Sequence, residues 1–258
     1  VAIGSWAMDG TGAYECKYNT FVGDSSGGGS WGSASTGNTG IGCFSMDAAL
    51  SGATDNTALG YNSLGGLTTG DRNVAIGVNA GLSSTDVDKT VLIGYNAGAG
   101  GNMDSDADGA VAIGEHAGYA LTSGQGNTAV GFQALFTEDD GDFNTAVGYK
   151  ALTAQNGAGG ETANTAVGYN AGLAVSSGIN NTLIGAHSGD ALTTGDYNTA
   201  VGFNALTADD VGDKSCAFGY GALGSQNIVS AGSTHNTGIG MQSGYYNVTG
   251  TDLSLIHI

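Results

Sequence analysis

Apolar and polar positions recur along this chain with a basic period of seventeen residues. The recurring unit is a five-residue phrase of alternating character closed by glycine. Asn127 to Gly131 and Asn144 to Gly148 both read NTAVG, seventeen residues apart. With the closing glycine as anchor, fourteen copies lie in phase: Gly4, Gly23, Gly42, Gly60, Gly77, Gly94, Gly114, Gly131, Gly148, Gly168, Gly185, Gly202, Gly219 and Gly240. Intervals between anchors run from 17 to 21 residues, so the longer ones are the basic unit with one to four residues inserted. A fixed period held this often marks a repeat array.

Each place around the anchor has its own chemistry. The residue just before it is apolar in all fourteen copies, and twelve of these are Val or Ile. Two residues earlier stands Thr or Val in thirteen copies, with Ala between them in nine. Three after the anchor every copy has Ala or Ser. Side chains alternating over five residues rich in Val, Ile and Thr have the period of a β-strand. The alternation sets Thr/Val and Val/Ile on one face and Ala and Gly on the other. A seventeen-residue unit is too short for a strand, a helix and two connections. It suits one coil of a parallel β-solenoid stacked on the next at about 4.8 Å.

Two further columns predict corner chemistry. A second glycine falls ten after the anchor in six of the seven basic intervals: Gly70, Gly124, Gly141, Gly178, Gly195 and Gly212. The expectation is a sharp turn with positive φ. Asn stands four before the anchor in ten of thirteen copies. It can ladder from coil to coil through its amide, or simply start a turn.

The array is expected to fill 1–252 as a single β-roll of about fourteen coils, truncated at both ends, since VAIG opens in mid-phrase. Residues 253–258, LSLIHI, depart from the phrase where another copy is due and are expected to be a non-native scar. Composition adds 49 Gly, no Pro and a formal charge of −18 with five basic residues, Lys17, Arg72, Lys89, Lys150 and Lys214. Disorder has no reason to hold Val or Ile at one phase. The charge argues against nucleic-acid binding and fits an extracellular location. No apolar run approaches the length of a membrane span, so no insertion by this segment is expected. Cys16, Cys43 and Cys216 are odd in number and at three phases, which does not support a disulfide framework.

NVAIGVNA (Asn73 to Ala80), AVAIGEHA (Ala110 to Ala117) and NTAVGYNA (Asn164 to Ala171) resemble the repeat of trimeric autotransporter adhesin heads, the YadA-like heads. The longer period, with a glycine closing stretches such as SLGGLTTG, also resembles phage tail-fibre repeats. The resemblance implies a left-handed β-roll and a homotrimer. A physical argument points the same way: a coil with inward Ala, Gly and one Val or Ile buries little apolar area, so a second face would be hidden by other copies. On this reading the small Ala/Gly face permits the close approach.

Asp104, Asp106 and Asp108 spell D-x-D-x-D-G, and Glu115 completes a calcium-loop pattern, so the three aspartates are a candidate Ca2+ site. Glu115 lies beyond a strand and should fall out of reach. The acidic corners Glu138 to Asp142 and Asp209 to Asp213 could share the role. Gly219 to Gly224 spells GxGxxG without an evident helix, and the four histidines do not cluster, so neither cofactor nor catalysis is expected. Aromatics follow the anchor at Tyr61, Tyr95, Phe132, Tyr149, Tyr169, Phe203 and Tyr220, as a packed stripe or an exposed ladder for sugars. Asn-Asn-Thr182 and Asn-Val-Thr249 match glycosylation sequons, which in a bacterial or phage protein are usually accidental.

The sequence therefore predicts a non-enzymatic fibrous surface segment, an adhesin head or tail-fibre shaft. It would attach to a host-surface glycan or protein through multivalent contacts, with no cofactor required. Contacts are expected in the longer intervals, 5–18, 24–37, 95–109, 149–163 and 220–235. The alternative is an ice- or crystal-surface-binding solenoid that uses nine in-phase Thr, which requires those Thr to face outward.

Overall fold

The computed structural model describes residues 1–157, 159–228 and 232–257. The chain divides into two compact units, Val1–Asn127 and Thr128–Ile258, each a parallel β-solenoid. The first unit contains the strands Ala2–Ile3, Thr20–Val22, Thr39–Ile41, Thr57–Leu59, Val74–Ile76, Val91–Ile93 and Val111–Ile113. The second contains Thr128–Val130, Thr145–Val147, Thr165–Val167, Thr182–Ile184, Thr199–Val201, Cys216–Phe218, Thr237–Ile239 and Ser254–Ile256. Each strand is the phrase that ends at the anchor. Pairing is parallel and in register, so each column stacks on itself: Thr20 on Thr39 on Thr57, and Thr145 on Thr165 on Thr182.

One further strand follows the fourteen phrases. Ser254–Ile256 lies within the segment expected to be foreign, yet pairs with Thr237–Ile239, with Leu255 opposite Gly238. Ser-Leu-Ile alternates as the phrase does, which is all the strand requires. Insertions form local structure of their own: a 3-10 turn at Ser105–Ala107, and two-residue strands Gly141–Asp142 with Gly160–Glu161 and Gly212–Asp213 with Gly232–Ser233. The expected contact intervals 149–163 and 220–235 include Ala158 and residues 229–231, which lie outside the described residues.

The strand's middle residue points into the coil and its neighbours point out. Ala58, Ala75, Ala112, Ala129, Ala146, Ala166 and Ala200 are fully buried, whereas Ile41, Leu59, Val167, Ile184 and Ile239 are 36–45% exposed. The anchor glycines expected on the Ala face are partly exposed, while the middle Ala column is inward and therefore cannot be offered to another copy. The opposite wall explains why. Four after the anchor, Leu64, Leu135, Leu152, Leu206 and Leu223 are fully buried, and seven after it so are Leu67, Leu121, Val175 and Leu192. Each fully buried Leu contributes about 1.5–3 kcal/mol, so the core is richer than Ala, Gly and one Val would make it.

In three coils volume is exchanged between the two walls. Where the strand's inward residue is large, as at Phe21, Leu92 and Leu183, the place four after the anchor is Gly27, Gly98 and Gly189. A Cβ at Gly27 would lie 2.9 Å from Phe21 Cδ1, and one at Gly98 3.0 Å from Leu92 Cδ2. Where the inward residue is Ala, the place holds Leu at Leu64, Leu135, Leu152, Leu206 and Leu223, whereas at Gly81, Gly118 and Gly172 leucines from elsewhere in the core reach the space a side chain would take. Leu64, Leu152 and Leu206 hold φ of 48°, 49° and 53°, left-handed values that burial offsets.

The two glycine columns have different causes. Anchor glycines have φ between about +106° and +142°, and a Cβ on Gly168 would lie 2.6 Å from the Gly185 carbonyl oxygen. The corner glycines Gly70, Gly124, Gly141, Gly178, Gly195 and Gly212 do not have positive φ, contrary to the sequence expectation. What excludes a side chain there is proximity: a Cβ at Gly178 would meet the Gly195 carbonyl oxygen at 2.5 Å and Asn181 Nδ2 at 3.2 Å.

The Asn column is a buried amide ladder. In the first unit Asn38, Asn56 and Asn73 each donate a backbone N–H to the Oδ1 of the Asn one coil back, at 2.8, 3.1 and 2.9 Å. In the second, Asn164, Asn181 and Asn198 do the same at 3.1, 2.8 and 2.9 Å. The side-chain amide also donates to a corner carbonyl, as Asn56 does to Gly70 O at 2.7 Å and Asn181 to Gly195 O at 2.9 Å. One side chain thus ties strand, corner and neighbouring coil together and satisfies buried backbone groups that sheet pairing leaves over.

Candidate functional site

The outward strand face is apolar and continues past the anchor. Of the twenty-four large hydrophobic residues exposed among the described residues, fifteen lie immediately before or after an anchor glycine. In the first unit these include Ile41, Leu59, Tyr61, Val78 and Tyr95, and in the second Val167, Tyr169, Ile184, Phe203 and Phe218. Exposed apolar residues scattered singly are ordinary, but here register stacks them into continuous columns. Thr flanks them on the same face. Thr128, Thr145, Thr165, Thr182 and Thr199 pair in unbroken register, Thr on Thr. The hydroxyls of Thr20, Thr39 and Thr57 in the first unit lie on the same outward face.

Beside this face runs a ridge of rings. In the second unit Phe132, Tyr149 and Tyr169 stack at centroid distances of 5.2 and 5.3 Å, and Phe203 and Tyr220 at 5.6 Å, with interplanar angles of 11–15°. His187 fills the gap left by Ala186, meeting Tyr169 at 5.2 Å and Phe203 at 6.2 Å edge-on. Both sequence readings hold in part: the stripe packs on itself and is also half-exposed. Stacking covers the ring faces, however, so solvent meets ring edges, and a sugar needs a face.

Of the candidate calcium aspartates, Asp104 and Asp108 are engaged in separate hydrogen bonds. Asp104 Oδ1 accepts the Asp106 N–H at 3.0 Å and caps the 3-10 turn, while Asp106 is exposed. Asp108 belongs to a second ladder. Asp71, Asp88 and Asp108 accept backbone N–H groups from Thr54, Asp71 and Asp88 at 2.6, 2.7 and 2.7 Å. Lys89 Nζ lies 3.8 Å from Asp108 Oδ2. A cation at this loop would have to compete with those bonds. Glu115 lies past the strand Val111–Ile113, 3.7 Å from His116 Nδ1, as its position in sequence implied. Among the described residues the carboxylates that converge are Glu138, Asp139 and Asp140.

Glu138 and Asp209 were not anticipated as core residues. Both are fully buried seven after an anchor, in the slot that holds Leu67 or Leu192 elsewhere. Glu138 Oε1 accepts the N–H of Gly141 at 2.8 Å and of Gly157 at 3.2 Å. Asp209 accepts from Gln226 Nε2 at 2.5 Å, Ile228 N at 3.2 Å and Gly212 N at 3.3 Å. Burial raises both carboxyls above the ordinary range, opposed by these bonds, with Asp139 and Asp210 adding to the rise. In each case the next coil carries Gln in the same slot, Gln155 or Gln226, bonded by the Asn ladder at 2.9 and 2.8 Å. Each carboxylate thus anchors the start of an insertion in the coil that follows. The signal was present as the recurrence of an acid followed by Gln in one phase.

His187 Nδ1 lies 2.8 Å from Asp190 Oδ2, and Thr207 donates to the same carboxylate through Oδ1. The hydroxyl meets the aspartate rather than the imidazole, so this is not a nucleophile and its base. Cys16, Cys43 and Cys216 are unpaired thiols. Gly219 to Gly224 is corner and turn, with no helix to seat a phosphate. No helix among the described residues is long and apolar enough to cross a membrane. No family model, curated protein or solved structure matches the chain.

Proposed function

We propose that the chain is a non-enzymatic segment of a fibrous extracellular surface protein, an adhesin head or a phage tail-fibre shaft. It joins two further copies of itself through the outward Thr, Val and Ile columns. The carrying observation is the concentration of exposed large hydrophobics beside the anchor glycines, in register over successive coils. Apolar area of this regularity favours a partner with the same period, and a second copy has it. The resemblance of NTAVGYNA to trimeric adhesin-head and tail-fibre repeats supports the same reading. Attachment to a host-surface glycan or protein then follows from loops presented many times along the assembly. The mass of the full chain in solution tests it: a trimer supports the proposal and a monomer refutes it.

A second reading is favoured by one observation. The in-phase Thr face outward and stack Thr on Thr, the condition that ice or crystal-surface binding imposes. Hydroxyls repeated at about 4.8 Å beside a row of Val methyls present a regular, uncharged lattice. Ice-crystal shaping by a monomeric chain would favour this reading over assembly.

A further inference from the structure

We propose that the ring ridge of the Thr128–Ile258 unit binds rigid, planar, cationic aromatic molecules laid along it. The ridge is unbroken over six coils through Phe132, Tyr149, Tyr169, His187, Phe203 and Tyr220. Tyr149, Tyr169, Phe203 and Tyr220 are 43–51% exposed. Next to it runs the strip of anchor glycines, which places no side chains between the ridge and the Val/Ile column. Together they form a straight apolar track parallel to the stacking direction of the coils.

The form of the track selects the ligand's shape. A rigid planar molecule spanning three coils, about 14 Å at 4.8 Å per coil, contacts several ring edges at once. It gives up little conformational freedom in doing so, which a flexible chain could not match. A sugar is disfavoured because the faces it would stack on are covered by neighbouring rings. Charge selects the sign: the chain carries −18, so a cation is drawn in and an anion repelled.

The test is titration of thioflavin T into monodisperse full chain, with its mass measured alongside. A saturable rise in fluorescence is expected. Tyr149→Leu with Tyr169→Leu keeps the ridge apolar but removes two rings, and should weaken binding about tenfold. Tyr197→Ala, on an exposed ring of the same unit at another phase of the repeat, should leave it unchanged. Absence of saturable binding overturns the proposal, as does a double variant, folded by circular dichroism, that binds like the parent. Because the readout is ring-dependent binding at whatever mass the chain has, failure here and failure of the assembly reading are separate results.

Discussion

A Cβ placed on Gly189 would fall 2.7 Å from Leu183 Cδ2, so the two residues share one volume inside their coil. The coil built on Gly202 solves the same space the other way, with Ala200 and Leu206 both fully buried. Leu183→Ala alone should destabilise the chain by about 2–5 kcal/mol through the cavity it leaves. Adding Gly189→Leu should restore most of that loss, because Leu206 at φ 53° shows that this place accepts Leu in the left-handed region. Denaturant unfolding of the two singles and the double measures the coupling. Additive losses would mean that the residues do not share the space.

The Asn ladder makes a sharper demand. Asn164 Oδ1 accepts both the N–H and the Nδ2 of Asn181, at 2.8 and 3.1 Å, and its own amide donates to Gly178 O at 2.7 Å. Asn164→Ala orphans a buried N–H and a buried carbonyl, so a loss of about 3 kcal/mol is expected in urea unfolding. A loss below about 1 kcal/mol would reduce the ladder to a turn preference.

Glu138 and Asp209 give stability a pH dependence of known sign. Burial raises both carboxyls above their ordinary values, so the folded chain binds these protons more tightly than the unfolded one. Their contribution is therefore fully present below the ordinary carboxylate range and is lost as pH rises from there through the raised values. Repulsion from the net charge of −18 slopes the same way, so the comparison must be with a variant. Glu138→Gln with Asp209→Asn should show a shallower decline in melting temperature over that window than the parent. Equal slopes would remove these two groups from the account.

Anchor glycines should tolerate nothing larger. Gly168→Ala meets both a φ of +142° and a backbone oxygen 2.6 Å from the new carbon, so a loss of about 3 kcal/mol or more is expected. Gly178→Ala should also destabilise, by contact alone. Circular dichroism melts of the two variants measure both losses, and a Gly168→Ala variant as stable as the parent would contradict the stacking geometry.

Much of this fold is legible in the chain because each column repeats. Phase alone gives the strands and their parallel stacking, and leaves the Asn column open between a ladder and a turn starter until coordinates show the ladder. Which face is inside was not legible from the strand alone, since Thr-Ala-Val alternates equally well with either side buried. The deciding signal lies across the coil, in Phe21 with Gly27, Leu92 with Gly98 and Leu183 with Gly189, where a large residue in one column requires glycine in the other. The corner glycines misled because φ and proximity both exclude side chains, and only coordinates separate the two. At Asp104, Asp106 and Asp108 spacing describes a loop, while only coordinates place Asp108 in a ladder with Asp88 of the coil before it.

The most direct test of the central claim is the mass of the full chain by light scattering, beside an Ile184→Glu variant. Ile184 is outward and 39% exposed, so the substitution spares the core and charges the proposed contact. The account predicts about three times the 25.3 kDa chain mass for the parent and dissociation for the variant. A parent of 25.3 kDa, or a variant that assembles as the parent does, would contradict it.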